Sequence, residues 1–533
     1  MNIKHYIWAF VAVMTLGSCS SFLEEYSQDH DYVRSWTDLN ELLLGDCYMP
    51  VNESHYFKYE KNPGMFVHLL SDEVDECSTG VSGSFMGYGV HHYQFGYLTW
   101  QSRVGADELF STYYTENNTW TTLYKYINVA NNVLASVEDV PQKTDDEKAG
   151  ANYVKGQAHF LRGWYYFWLT NVYGQPYDEN TAATSLGVPL KTSKEVQDVK
   201  FSRNTVQECY DLILSDLLAA EKELSAARSI SRKSTYRADS VSVQLLLSRV
   251  YLYMQNWEQA AKYAQKVIDR KGELQDLNKD NSYFAALDNP ETIFTMGGDD
   301  LPCIFSYGTQ SVKMPDEVYN WFADNDLRKS QFIWHMGDFT GLTKGSASLS
   351  SYTGYNKDNP LYYNMNFTES YYRQREVSSL FWLRSGEAYL NLAEAEAYMG
   401  NEQAAKNAIN TLRESRYISG ASDAQITSAG SQLIKDIRDE RKRDMVGEGQ
   451  RWFDLRRYRV CKVQPEKISI THHFSVYKSD TSSDAPMETR TYVLPEDDPS
   501  WTMPIPQEVI NFNTGMPNNG NVTRQPVSSD QVE

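Results

Sequence analysis

The sequence predicts a mainly α-helical protein: TPR-like helix–turn–helix repeats forming a scaffold, with long irregular, loop-rich insertions. Three observations carry this. Apolar residues recur at three- and four-residue steps over much of the chain, the mark of amphipathic helices. Residues 253–262, Tyr-Met-Gln-Asn-Trp-Glu-Gln-Ala-Ala-Lys, return at 398–406 as Tyr-Met-Gly-Asn-Glu-Gln-Ala-Ala-Lys, one residue shorter. Residues 50–118 and 271–379 lose the helical period altogether.

Taken in order, residues 32–48 can form a helix with Trp36, Leu39, Leu42 and Leu43 on one face. Between 50 and 118, Gly80, Gly83, Gly87, Gly89 and Gly96 break any long helix,. A ring-dense loop from Tyr88 to Trp100 lies among them. Helical spacing returns at 119–138 through Trp120, Leu123, Ile127, Ala130 and Leu134, and Pro141 ends it. Asp145-Asp146-Glu147 then places acids where a helix dipole favours them, opening a helix over 147–172. Further helices are expected at 205–224, 239–255, 257–270, 380–399 and 402–416, with 430–457 closing the series. In the two repeats, Ala260, Ala261, Ala404 and Ala405 let paired helices approach closely. From 458 to 533 the chain reads as irregular.

Composition narrows the function. The chain of 533 residues is 41% hydrophobic and 23% charged, a globular balance,. Its net charge of −20 argues against nucleic acid, whose phosphates it would repel,. Lys4 and His5 precede an apolar run, Tyr6–Leu16, of signal-peptide length and too short to span a bilayer. Leu16-Gly17-Ser18-Cys19 has the form of a bacterial lipobox. Residues 1–18 are therefore expected to be a signal peptide, with 19–533 forming one body lipidated on Cys19. The other five cysteines stand at long spacings, an odd number that makes no disulfide framework or zinc motif,.

No HExxH helix, P-loop, GxGxxG turn or G-x-S-x-G elbow is present, and no cofactor or metal is expected. The His91-His92 and His472-His473 pairs suit exposure or packing, since adjacent rings rarely aim at one metal. Asp72-Glu73 and Asp75-Glu76 read as solvated carboxylates, and Asp324-Asn325-Asp326 lacks an EF-hand loop around it. No enzymatic activity is expected. Rings embedded in loops can instead bind sugar: Trp or Tyr stacks on the C–H face of a pyranose, and polar side chains read its hydroxyl rim. Eighteen of the 96 residues from 280 to 375 are aromatic, against 13% of the chain. The expected platform is Tyr97, Trp100, Trp321 and Trp334, with Tyr88 and Tyr283 behind them.

The densest charge lies at Glu440–Arg457, ERKRDMVGEGQRWFDLRR. Glu440, Arg441 and Asp444 share helical faces, Gly447 and Gly449 interrupt the helix around Glu448, and Asp454 stands three residues from Arg451 and Arg457. This reads as a charge-paired turn locking one part of the fold to another, each exposed pair contributing about 0.2–0.5 kcal/mol. Glu448 has no His, Cys or Ser beside it to make it catalytic. The stretch resembles the C-terminal signature of the SusD/RagB family of outer-membrane nutrient-binding lipoproteins. LRGWYYFWLTNVYGQPY at 161–177 and Ile505-Pro506-Gln507-Glu508 resemble further elements of that family, while Asn511–Asn521 departs from its usual ending. The resemblance implies four TPR-like units and a lipid-anchored protein on the outer face of the outer membrane. It also implies capture of an oligosaccharide or polysaccharide and delivery to a SusC-like TonB-dependent transporter. The ligand face would be built from 50–118 and 271–379. Peptide capture, as in the RagB branch, and a transporter-bound scaffold without glycan affinity are the alternatives.

Overall fold

The computed structural model describes residues 33–49, 63–77, 94–107, 116, 118–195, 197–230, 234–279, 284–297, 312–336, 339–342, 344, 377–477 and 486–531. The expected helices form close to their expected limits: α1 (Trp36–Asp46), α2 (Asn118–Ser136), α3 (Asp145–Tyr173), α4 (Val206–Ala226), α5 (Ser240–Tyr253), α6 (Trp257–Lys271), α7 (Ser385–Tyr398), α8 (Glu402–Glu414), α9 (Gly430–Asp444) and α10 (Arg451–Arg459). Their starts are chemically marked. Thr144 accepts from Glu147 N while the Glu147 carboxylate accepts from Thr144 N, and Thr205 and Glu208 repeat this capping box on α4,.

From α2 to α8, each helix packs on the next, the layering expected of stacked helix pairs,. The alanines allow it. Ala260 and Ala405 are fully buried and Ala261 nearly so, and Ser248 Oγ reaches Ala260 O at 2.9 Å. Ala404 is exposed, and Ala408 takes the inward position one turn later.

Three expectations are corrected. The helix expected from 380 begins at Ser385, because Trp382–Arg384 forms an antiparallel strand pair with Thr292–Thr295. That pair closes the base of the 271–379 insertion. Within the insertion, Ile333–Met336 and Phe339–Leu342 make a tight hairpin. The C-terminal region contains a three-stranded antiparallel sheet, Ile470–Val476, Glu488–Leu494 and Ser528–Gln531, in that order. Asp75–Glu76 pairs with Val312–Lys313, so the two loop-rich regions touch each other.

Candidate ligand-binding site

The charged signature is almost entirely buried, which the sequence reading did not foresee. Glu440, Arg441 and Asp444 on α9 are fully enclosed. Asp444 meets Arg384 at 2.7 Å, Arg416 at 2.7 Å and Arg328 at 3.1 Å. Burial opposes its charge, but those guanidiniums outweigh burial and hold its carboxyl well below the usual range,. Glu440 binds Arg328 at 2.6 Å, Arg443 at 2.8 Å, and Arg413. Glu448 pairs with Lys344 and with Arg384 at 3.0 Å. Burial draws the Lys344 ammonium down to about 8. Glu291 closes the cluster onto Arg384 and Arg416. Gly447 and Gly449 make the turn possible: both have positive φ, and a Cβ on either would strike Leu342 or Leu380,.

Trp321 ends the helical turn Asp316–Asn320, and its carbonyl accepts from Arg443 Nη1 at 3.4 Å. It is half-buried. Lys442 Nζ lies 4.4 Å from its ring centroid and the Arg451 guanidinium 5.9 Å, a cation–π support from α9 and α10,. Tyr319, also half-buried, has Lys329 Nζ at 4.8 Å from its ring. Two of the other expected platform rings belong to the core instead. Tyr97 is 4% exposed and stacks on Phe66 at 4.7 Å. Trp100 is 1% exposed, stacks on His472 at 4.4 Å and donates Nε1 to Leu70 O at 3.1 Å. Phe95–Leu98 folds into a buried helical turn that carries Tyr97 inward, and Trp100 follows just after it. Trp334 lies on the hairpin strand opposite Gly341, but its ring is outside the described side chains. Tyr88, Tyr283 and Cys19 lie outside the described residues.

The Asp72–Glu76 run is likewise not solvated. Asp72 holds Arg451 through bonds of 2.8 and 2.7 Å, and Asp75 accepts from His473 at Nδ1, 2.6 Å, and at the backbone N, 2.7 Å. Glu73 is 2% exposed; burial, then the neighbouring Asp72, push its carboxyl up to about 8. His472 is buried between the carbonyls of Leu98 and Ser71, at 2.8 and 3.0 Å. Asp326 pairs with Arg328 at 2.7 Å. Cys47, Cys77, Cys209 and Cys461 are buried.

With this geometry in hand, comparison with known proteins is decisive. A model of the SusD family matches residues 236–521, and a model described as starch-binding, associating with the outer membrane, matches residues 88–252. The chain belongs to the SusD family. The SusD-like protein P2 of Formosa agariphila is 25% identical over 448 residues, covering 75% of this chain and 79% of that protein. SusD-like protein P25 of the same organism is 22% identical over 509 residues, covering 86% and 90%. Among solved structures, a SusD superfamily protein of Bacteroides thetaiotaomicron aligns with a TM-score of 0.64 at 20% identity, over 91% of this chain and 100% of that one. A SusD-like carbohydrate-binding protein of Bacteroides vulgatus aligns at 0.63 and 19%, over 91% and 98%. A laminarin-binding SusD-like protein aligns at 0.62 and 18%, over 92% and 100%. The fold is therefore the SusD fold.

The SusD-like motifs read from the sequence meet in space. Arg456, from the signature, caps the end of α3: it donates to Asn171 O, to Gly174 O at 2.6 Å and to Thr502 Oγ1 at 3.0 Å. Those carbonyls are the ones a helix C-terminus leaves unpaired. Burial pulls this guanidinium down to about 10, since its partners are carbonyls and a hydroxyl. Sequence reasoning missed Lys442 and Arg451 as supports of Trp321; they look like ordinary helix-surface charges until Trp321 is placed beside them.

Proposed function

We propose that this SusD-family protein is a lipid-anchored outer-membrane receptor that captures an oligosaccharide or polysaccharide and delivers it to a SusC-like TonB-dependent transporter. The observation that carries the reading is the family match, joined to a half-buried tryptophan within 271–379 that is braced by two cations. The carbohydrate-binding and laminarin-binding neighbours of the same fold support a glycan as the ligand. Lipidation of Cys19 would anchor the chain, since acyl chains contribute about 0.8 kcal/mol per buried CH₂; no described helix is long and apolar enough to cross a membrane. Capture needs no reacting group, only a platform and a rim, so no enzymatic step enters the proposal. Trp321 is the platform residue, and Tyr319 extends it.

The test is affinity electrophoresis of the lipid-free chain, from Ser20 onward, through gels containing laminarin, starch and other polysaccharides. At least one polymer is expected to retard the protein, and Trp321→Ala to weaken that retardation severalfold without a change in fold by circular dichroism. Free migration through every gel would remove glycan capture. Binding of peptides, or pull-down of a barrel partner alone, would then decide between the two alternatives.

A further inference from the structure

The two repeated turns differ at two positions. Gln255 stands where Gly400 stands in the second repeat, and Trp257 has no counterpart there. Both turn residues adopt left-handed backbone, φ 59 at Gln255 and φ 80 at Gly400. Glycine takes that conformation freely, whereas a side chain is strained in it. Gln255 is held there by its own carboxamide: Nε2 donates to Val460 O at 2.9 Å, and Oε1 accepts from Lys462 N at 2.8 Å. This clamp lays the 460–462 segment against the turn. It brings Lys462 Nζ to 5.9 Å from the Trp257 ring and into a 2.5 Å bond with Glu179. Trp257 itself is half-buried, braced against Tyr398 at 5.1 Å.

Together these groups shape an open cleft of about 450 Å³, walled by Trp257, Tyr177 and Met399 and bordered by Glu179, Glu258 and Lys462. Its size suits a small ligand, and it combines aromatic walls with a few charged hydrogen-bonding groups. We propose that this cleft is a second saccharide site, holding one or two pyranose units with Trp257 against the C–H face and Glu258, Glu179 and Lys462 on the hydroxyls. It lies on the helical repeats and does not rest on the Trp321 reading, so failure of one leaves the other standing. A glycan engaged at both places would gain avidity when its length spans them.

Fluorotryptophan NMR of the full lipid-free chain tests this directly, with the Trp257 resonance assigned through Trp257→Phe. Laminarin, starch and cellulose oligosaccharides, each titrated to its solubility limit, serve as probes. At least one should move the Trp257 resonance saturably, including in the Trp321→Ala background. Glu258→Gln, an exposed change that leaves the packing intact, should raise the half-saturation concentration severalfold. If no oligosaccharide moves the resonance, or only a purified TonB-dependent barrel does, the cleft is not a saccharide site and the proposal falls.

Discussion

The hub around Asp444 and the acidic run from Asp72 to Glu76 bury the same kind of side chain and stabilise it differently. In the hub, the carboxylates of Glu291, Asp326, Glu440, Asp444 and Glu448 meet Arg328, Lys344, Arg384, Arg413, Arg416 and Arg443, so every one of these carboxylates has a cationic partner. In the acidic run, Asp72 and Asp75 find Arg451 and His473, but Glu73 does not share in that pairing. Its carboxyl is raised to about 8 by burial and by Asp72; the charges of Arg451 and Lys344 and the N–H of Gly447 only partly offset this. A buried charge can thus be balanced by counter-charges or relieved by taking up a proton. The first solution ties distant segments together, and the second makes local stability depend on pH.

The contrast can be broken most forcefully at Asp444. Asp444→Ala takes one carboxylate away from three buried guanidiniums, and loss of one side of a buried pair costs about 3–5 kcal/mol,; chemical denaturation should show a loss of that size, or no folded protein. Glu73→Gln should act through pH instead. Because its folded pKa lies above the ordinary value of 4.5, the folded state holds the extra proton between those values. Stability should therefore fall as pH rises from about 5 to 8, by on the order of 3 kcal/mol, and the slope should flatten in Glu73→Gln. A denaturation series in that window that shows no difference between wild type and variant would sink the assignment. Gly449→Ala tests the turn between α9 and α10: positive φ and contact with Leu380 together should cost about 1–3 kcal/mol, read as a lowered Tm,. Trp321→Ala should have the smallest effect on stability, roughly 1 kcal/mol or less, because the ring is only half-buried,. Its effect belongs in glycan retardation. A large loss of stability there would make Trp321 a core residue and remove it from the site.

Much of the architecture was readable in the chain. Helical spacing located α2 to α8 within a few residues, except at α7, where a strand takes the first positions. The Gly447–Gly449 break, the repeat and the SusD-like signature were visible as well. The C-terminal sheet was not. Ile470–Val476 does alternate, but the third strand of the sheet, Ser528–Gln531, comes from the far end of the chain to pair with Glu488–Leu494, and the His-His pair masks the pattern.

The candidate site was harder. Trp321 and Trp100 look alike in sequence, each a tryptophan in an aromatic stretch. One is braced from below by Lys442 and left partly open; the other is sealed between Leu70 and His472. Local sequence determined which segments could be helices and where their ends fall, because helical periodicity, caps and left-handed glycines act over a few residues. Tertiary structure alone decided which charges lie in the core and which rings reach solvent. Those depend on the groups that distant segments bring to each face, and a side chain does not announce its neighbours.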